Sequence, residues 1–470
     1  MPKSSLIKWT FSLVILTVAF SYGFASAKYR VFPYGVINYL YSRGVNLLSQ
    51  KEENIQGVFL ADENATGKRT VPEDLASLPY LKGFMAAPVK KNVTIYDPDR
   101  AFPGLNLVVS DHGPPAFLMD MKGNVLHQWS YDFEKVWPGP LEFNEWVVHK
   151  TLWRRAHLFN NGDLLAIFEG IGMIKLDKDS NLLWAYKGRT HHDIFVDDKG
   201  YIYTLARQDR KEHNLINGPI LEDFIVILDP NGKEVRKTSL LDCFFNSSYA
   251  PIAMGRVKLA ENPHQNFIDF LHTNTIEVFD GRFADRSPMF KKGNVLISAP
   301  TIHTIAVVDL EQEKVVWAMT GLWRYQHQPT LLENGNMLLF DNQGNGGKSQ
   351  VIEFNPLTQE IAWAYKGSAT NEFFSRILGS SDRLPNGNTL ITESQTGRAF
   401  EVTRSNEIVW EWVNPNRAGA RNELIASLLE VVRLNPAKFS GGFLAGIYEK
   451  SQKPVDVKGV KNLLEALKKQ

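Results

Sequence analysis

The sequence predicts an all-β protein whose main domain is a six-bladed β-propeller. A polar turn containing glycine, followed by a short apolar strand, recurs between residues 105 and 413. The copies are spaced by about 40–50 residues, which matches one four-stranded blade each. No long amphipathic helix follows any of these strand runs, so folds that alternate strands and helices are disfavoured.

Five copies of the repeat are clear from their turns. The turns are NNGD at 160–163, DKG at 198–200, KGN at 292–294, NGN at 334–336 and NGN at 386–388. Glycine takes positive φ without steric cost, so these positions are predicted to be hairpin turns. A sixth, degenerate copy reads NLVVSD at 106–111, followed by FLMDMKGNVLHQW. The tryptophans of the copies are predicted to fill the core between blades; they are Trp184, Trp317, Trp363, Trp410 and Trp412.

The N-terminal segment predicts export. Lys3 and Lys8 precede residues 9–27, which carry no charge and are long enough to cross a bilayer. The Ala25-Ser26-Ala27 triplet is typical of a signal-peptidase site, so residues 1–27 are either a signal-anchor or a signal peptide. In the first case the propeller is membrane-anchored on the periplasmic or extracellular side; in the second, cleavage after Ala27 secretes it.

The remaining boundaries follow from the repeat. Residues 28–95 are predicted to be a helical or extended arm, and residues 96–415 the propeller. Residues 416–470 contain ELIASLLEVV and VKNLLEALKKQ, whose apolar spacing predicts a helical C-terminal tail.

Composition excludes several classes of function. Lys plus Arg total 52 against 51 for Asp plus Glu, a net charge of +1, which disfavours nucleic-acid binding. Cys243 is the single cysteine, so an intrachain disulfide and a cysteine-rich zinc or iron–sulfur site are excluded.

Alignment of the copies on their turn glycine selects candidate site residues. His192 lies eight residues before Gly200, and His327 lies eight residues before Gly335. Equivalent positions of a propeller lie at equal heights around one central channel, so both are predicted to lie at the same mouth. The blade between them offers His272, and the blade before them has Arg154 in the same register.

Three convergent imidazoles suit two kinds of chemistry. One histidine can be a nucleophile while the others donate protons or stabilise charge. Alternatively, three histidines can hold zinc with an open position. The third interpretation is structural, with each ring bonded to neighbouring backbone. We favour the first and expect no metal and no cofactor.

The motifs around these histidines resemble the arylsulfotransferase family. They are His192-Asp193, LHTNT at 271–275, and HQPTLLENGN at 327–336 followed by LLFDN. The resemblance covers residues 110–415 and implies that His327 is sulfated during transfer of a sulfuryl group from an aryl sulfate to a phenol. It further implies that His192, His272 and Asn274 steady the sulfate and phenolic oxygens, without a nucleotide donor.

The sequence departs from the family where an arginine is expected on the strand after the Leu-His-x-Asn motif. Pro300 or its neighbour occupies that position. Arg154 and Arg324 are the predicted substitutes for binding the anionic substrate, with Arg376 as a further candidate. The alternative function is a non-catalytic, ligand-binding propeller that keeps the scaffold. A quinoprotein dehydrogenase ranks third, because no acidic calcium cluster or vicinal cysteine pair is present.

Overall fold

The computed structural model describes residue 22 and residues 85–113, 115–141, 150–211, 216, 218–257, 267–418 and 421–450. Contacts divide the chain into two units, residues 1–56 and residues 57–470. Of the first unit only Tyr22 is described, and it is helical. No helix in the described part is long and apolar enough to span a membrane. The predicted span at 9–27 lies outside the described residues except for Tyr22, so export stays a prediction.

Strands dominate the described part of the second unit. They are β1 (Asn92–Tyr96), β2 (Leu105–Ser110), β3 (Ala116–Met119), β4 (Val125–Trp129), β5 (Trp153–Leu158), β6 (Leu164–Phe168), β7 (Gly172–Leu176), β8 (Leu182–Tyr186), β9 (Thr190–Val196), β10 (Ile202–Arg210), β11 (Ile220–Leu228), β12 (Glu234–Ser239), β13 (Thr275–Val278), β14 (Val295–Ala299), β15 (Thr304–Asp309), β16 (Lys314–Thr320), β17 (His327–Leu331), β18 (Met337–Asn345), β19 (Lys348–Phe354), β20 (Ile361–Tyr365), β21 (Ser380–Arg383), β22 (Thr389–Glu393), β23 (Arg398–Val402), β24 (Ile408–Val413), β25 (Arg417–Ala418), β26 (Leu424–Ile425) and β27 (Leu428–Leu434). The described helices are short: α1 (Phe133–Val136), α2 (Leu240–Phe245), α3 (Ala250–Met254), α4 (Gly441–Lys450) and 3-10 turns at Pro288–Phe290 and Pro436–Lys438.

Six antiparallel sheets form the predicted six-bladed propeller. In chain order the blades are β27-β2-β3-β4, β5-β6-β7-β8, β9-β10-β11-β12, β13-β14-β15-β16, β17-β18-β19-β20 and β21-β22-β23-β24, the last extended by β1. The first strands of successive blades contact one another in a closed cycle, from β27 through β5, β9, β13, β17 and β21 back to β27. These six strands therefore line the central channel.

The turn glycines behave as predicted. The five clear copies place glycine between the first and second strands of a blade, with φ of 92° at Gly162, 81° at Gly200, 86° at Gly293, 85° at Gly335 and 86° at Gly387. The degenerate copy forms β2, β3 and β4. An L residue is strained at such φ values, so the turn chemistry fixes the register of each blade.

Tryptophans pack between the blades, as predicted. Trp410 and Trp412 are fully buried and Trp363 is 9% exposed. Trp184 and Trp317 are partly buried and pack against apolar clusters shared by adjacent blades. The core is thus a ring of interblade layers around the channel.

The predicted C-terminal helix is wrong for ELIASLLEVV. Residues 428–434 form β27, which pairs with β2 from Leu105↔Leu434 to Ser110↔Leu428. Periodicity alone does not separate a buried helix from a strand buried on both faces, and this strand is covered on both sides. A helix does follow, at Gly441–Lys450. The VKNLLEALKKQ segment lies outside the described residues.

Blade 1 and blade 6 close the ring with segments from both ends of the propeller. β27 supplies the inner strand of blade 1, while β1 pairs with β24 from Asn92↔Val413 to Tyr96↔Trp410 on the outer edge of blade 6. The propeller therefore begins at β1, earlier than residue 96, and extends through β27, beyond residue 415.

A buried ion network joins four blades across the channel. Arg155 on β5 donates to Asp193 on β9 at 2.7 Å and contacts Glu430 on β27 at 2.5 Å. The other oxygen of Asp193 accepts from the backbone N–H of Ile276 on β13 at 2.9 Å. Burial raises the pKa of Glu430 to about 7, against the opposing charge of Arg155. One guanidinium thus compensates two buried carboxylates.

Replacing Arg155 with leucine is expected to lower the free energy of unfolding by about 3–5 kcal/mol, because two buried carboxylates lose their cation. Urea unfolding measures the change. Arg282→Leu is the matched control, since Arg282 pairs with exposed Asp280 and Glu333 and its loss is expected to change stability by about 1 kcal/mol or less. Equal losses in the two variants would contradict the role given to Arg155.

Candidate functional site

The repeat places Arg154, His192 and His327 at the same height of the channel. Each lies on the first strand of its blade, eight residues before the turn glycine. Pairing with the second strand becomes irregular at this height, between Trp153 and Arg155 in blade 2, opposite Thr204 and Leu205 in blade 3, and between His327 and Thr330 in blade 5. Such bulges re-aim side chains, and here they recur at one mouth of the channel.

The backbone is strained at two of the candidate histidines. His192 has φ of 57° and His272 has φ of 51°, in the left-handed region that side-chain-bearing residues rarely adopt. Tyr325 and Gln328, on either side of His327, have φ of 55° and 45°. Strain of this kind persists where the surroundings impose it, and it gathers at functional sites.

Asn342 fixes the tautomer of His327. Nδ1 of His327 lies 2.9 Å from the Tyr325 carbonyl and 2.9 Å from Oδ1 of Asn342. The amide nitrogen of Asn342 donates to the carbonyls of Ser375 and Leu378, so its oxygen must face the imidazole. Both neighbours of Nδ1 are therefore acceptors, Nδ1 carries the proton, and Nε2 has a free lone pair.

Burial keeps His327 neutral. Removal from water lowers the pKa of His327 to about 3, and the positive charges of Arg154 and His272 lower it further, against hydrogen bonds from the ring to Asn342 and Tyr325. A neutral imidazole with a free Nε2 is a nucleophile.

His272 has a different partner. Its Nδ1 lies 2.5 Å from Oδ2 of Asp269, a carboxylate that is 8% exposed. The rings of His272 and His192 meet edge to face, with centroids 4.9 Å apart. The structure thus brings these two predicted site residues together.

His192 lies in a buried cluster of charged groups. Its Nδ1 is 3.3 Å from Oε1 of Glu169 and 2.9 Å from Nδ1 of His191. Burial lowers the pKa of His192 well below its ordinary value, and the charge of Arg154 adds to this effect. His191 also accepts from Arg207 at 3.0 Å.

Glu169, His191 and His192 have ligand atoms within 4.8 Å of one another, the residue types of a zinc site. Arg207 uses the Nδ1 lone pair of His191, and Arg154 lies 3.8 Å from Glu169. Two guanidiniums disfavour a divalent cation here, because they repel it and compete for its ligands.

Arg154 and Arg324 differ in placement. The Arg154 side chain is buried against Glu169, and its charge depresses the pKa values of both His192 and His327. Arg324 is exposed on the loop before His327, where its backbone N–H donates to Asp341 at 2.9 Å. Arg376 is also exposed. Of the three predicted cations, the structure therefore brings Arg154 among the buried histidines.

Asn274 is buried next to this site, and both polar atoms of its side-chain amide form hydrogen bonds with other protein groups. Nδ2 donates to the Gln326 carbonyl at 3.0 Å, and Oδ1 accepts from Thr275 at 3.0 Å. Asn274 therefore anchors the residue before His327. Pro300, at the position expected to hold arginine, is buried in a turn where its carbonyl lies 2.9 Å from Nδ1 of His303.

Sequence reasoning missed the partners of the histidines. Asp269 precedes His272 by three residues, and Asn342 ends the LLFDN segment, so both lie beside the quoted motifs. A search for a polar group able to bond each imidazole would have found them. Glu169 follows β6 of the neighbouring blade, and Arg207 lies on β10, which pairs with the strand that carries His192. No spacing signal in the sequence connects either residue to His192.

A family model described as Arylsulfotransferase (ASST) matches residues 155–415, more than half of the chain. The match covers His192, His272, Asn274 and His327. Arg154 lies one residue before it. No curated protein matches the chain.

Several solved structures are similar to the chain at low sequence identity. A protein of unknown function from Bacteroides caccae is 13% identical, with 69% of this chain and 97% of that chain covered, at a TM-score of 0.43. A streptogramin B lyase is 13% identical, with coverage of 74% and 99% and a TM-score of 0.37. BamB from Moraxella catarrhalis is 11% identical, with coverage of 73% and 93% and a TM-score of 0.33. None of these similarities bears on function.

The neutral tautomer of His327 is directly measurable. Nitrogen-15 NMR of histidine-labelled protein is expected to show His327 with a protonated Nδ1 and a bare Nε2 down to about pH 4, because its pKa is about 3. His327→Gln assigns the signal by its disappearance. A titration midpoint near the ordinary value of 6.5 would contradict this assignment.

Proposed function

The chain belongs to the arylsulfotransferase family, and from that premise we propose that it transfers a sulfuryl group from an aryl sulfate to a phenol through a sulfated His327. The observation that carries the proposal is the environment of Nδ1 of His327, which faces two acceptors. The lone pair on Nε2 is therefore available at every pH above about 3. The substrates are small aromatic molecules, and the reaction needs no nucleotide donor.

In the first half of the reaction, Nε2 of His327 attacks the sulfur of the donor. A nitrogen–sulfur bond forms, the bond from sulfur to the phenolic oxygen breaks, and that oxygen keeps the electron pair. In the second half, a phenol oxygen attacks the sulfur and restores the neutral imidazole. Two steps with a covalent intermediate avoid direct encounter of two anionic or weakly nucleophilic substrates.

Arg154 supplies the positive charge that the arginine expected near Pro300 would supply to the sulfuryl group. Negative charge spreads over the sulfuryl oxygens during transfer, and a buried guanidinium stabilises that charge without reorganising. Arg154 approaches from blade 2, next to Glu169, rather than from the strand that ends near Pro300. His192 and His272 complete the polar surroundings, and Asn274 holds the backbone that leads into His327.

His327→Ala is expected to abolish transfer from 4-nitrophenyl sulfate to phenol, since the proposed nucleophile, Nε2 of His327, is removed. Intact-mass spectrometry after mixing with donor alone is expected to show a sulfate adduct on His327 in the wild type and none in the variant. His127→Ala is the control, because His127 lies on the fourth strand of blade 1 with its Nε2 bonded to the Lys178 carbonyl.

Undiminished transfer in His327→Ala would refute the covalent route. Binding of aryl sulfate without any adduct or transfer would instead identify the alternative function, a ligand-binding propeller, which the presence of Pro300 in place of arginine favours.

Arg154→Met is expected to lower kcat/KM for the donor by about 100- to 1000-fold, the usual loss on removing one preorganised stabiliser of an oxyanion. Arg324→Met is the matched control, since that side chain is exposed, and its effect is expected to be several-fold at most. Steady-state release of 4-nitrophenol measures both. A larger loss of kcat/KM in Arg324→Met than in Arg154→Met would indicate that the sulfate group binds at the loop that carries Arg324 and not in the channel.

A further inference from the structure

We propose that Asp269 is a positioning residue that makes His272 the proton carrier between the two half-reactions. This inference rests on the proposed function and adds to it the fate of the phenolic proton.

The Asp269–His272 pair is the observation that carries it. Oδ2 of Asp269 lies 2.5 Å from Nδ1 of His272, and Oδ1 of Asp269 is buried without a hydrogen-bond partner among the described residues. A buried carboxylate whose second oxygen is unbonded is costly unless a positive charge lies beside it. The imidazole of His272 lies at that position, and Asp269 holds the ring so that Nε2 is the atom proposed to exchange a proton with the substrate.

His327 and His272 are therefore made chemically different by their partners. Nδ1 of His327 faces two neutral oxygens, those of Asn342 and Tyr325, which orient the ring without favouring a charged form as strongly as a carboxylate does. Nδ1 of His272 faces the carboxylate of Asp269, which orients the ring and directs Nε2 away from Asp269. The first arrangement suits a nucleophile and the second an acid and base.

The segments that carry the two histidines belong to neighbouring blades and contact each other. Nδ2 of Asn274 donates to the Gln326 carbonyl at 3.0 Å, and the backbone N–H of Gln328 donates to the Thr275 hydroxyl at 2.9 Å. The proposal places the leaving oxygen of a donor attacked by His327 between these two segments.

The proton that His272 gives up in the first half-reaction is regained in the second, so no further acid or base is needed. When the bond from sulfur to the donor oxygen breaks, Nε2 of His272 gives its proton to that oxygen, and a neutral phenol leaves. His272 stays neutral, with Nδ1–H donating to Asp269, while the sulfuryl group is on His327. The acceptor phenol then gives its proton to Nε2 of His272 as its oxygen attacks the sulfur. His272 and His327 both return to their starting states.

The test compares Asp269→Asn, Asp269→Glu and wild type with two donors of different leaving ability. Phenyl sulfate releases a basic phenolate that needs a proton, whereas 4-nitrophenyl sulfate releases a stable one. Asp280→Asn is the matched control, since Asp280 is exposed and pairs with Arg282 on the same segment of chain. Thermal unfolding of each variant is recorded alongside.

Asp269→Asn is expected to lower kcat for phenyl sulfate by about 100-fold, the usual contribution of general acid–base catalysis, and to change 4-nitrophenyl sulfate cleavage several-fold at most. With 4-nitrophenyl sulfate and phenol present, the sulfated form of His327 is expected to accumulate, because the acceptor is no longer deprotonated. Asp269→Glu is expected to recover much of the loss, and Asp280→Asn to behave as wild type.

Equal losses for both donors would reduce Asp269 to a structural residue and overturn the inference while leaving the His327 adduct intact. A wild type that forms no adduct would overturn the proposed function and this inference together. If Asp269→Asn does not fold, His272→Asn makes the same comparison, since its Nδ2 keeps a donor for Asp269 but carries no exchangeable proton of imidazole type. His272→Asn is expected to lower kcat for phenyl sulfate far more than kcat for 4-nitrophenyl sulfate. Equal losses for the two donors in this variant would also contradict the inference.

Discussion

Arg155 lies between carboxylates from two other blades, Asp193 and Glu430, where little water reaches any of the three. The guanidinium permits these acids to occupy the channel, and Asp193 in turn accepts the backbone N–H of Ile276 in the next blade. Because Asp193 directly follows His192, this network holds the backbone next to His192, whose φ is 57°. The position of His192 therefore depends on the ion network that begins at the next residue of the chain, Asp193.

The charged and polar partners of the histidines differ from one histidine to the next. Arg154 and Arg207 bring positive charge to the buried histidines and disfavour a divalent cation there. Within that field, Nδ1 of His327 faces an amide oxygen, whereas Nδ1 of His272 faces a carboxylate. The different roles proposed for the two rings rest on this difference between their partners.

Much of the fold was predictable because turn glycines and strand length repeat, and repetition fixes both the number of blades and the register of the inner strands. The same register selected Arg154, His192 and His327. The closing strand Leu428–Leu434 was not predictable from periodicity, since a strand covered on both faces is apolar at nearly every position. Contacts from Glu169 and Arg207 arise on other strands of the blades, so linear spacing does not reveal them. Arg324 is close to His327 in sequence, yet its side chain is exposed on the loop that precedes β17, and a role in substrate binding stays a prediction.

The closure of blade 1 by β27 orders events during synthesis. β2, β3 and β4 are made early, yet the partner for the inner edge of β2 is completed about 320 residues later. Until then that edge has unpaired backbone groups, which are a template for pairing with another chain. A ribosome-bound chain that ends before residue 428 therefore holds an incomplete ring, and blade 1 can be completed only after residues 428–434 have been translated.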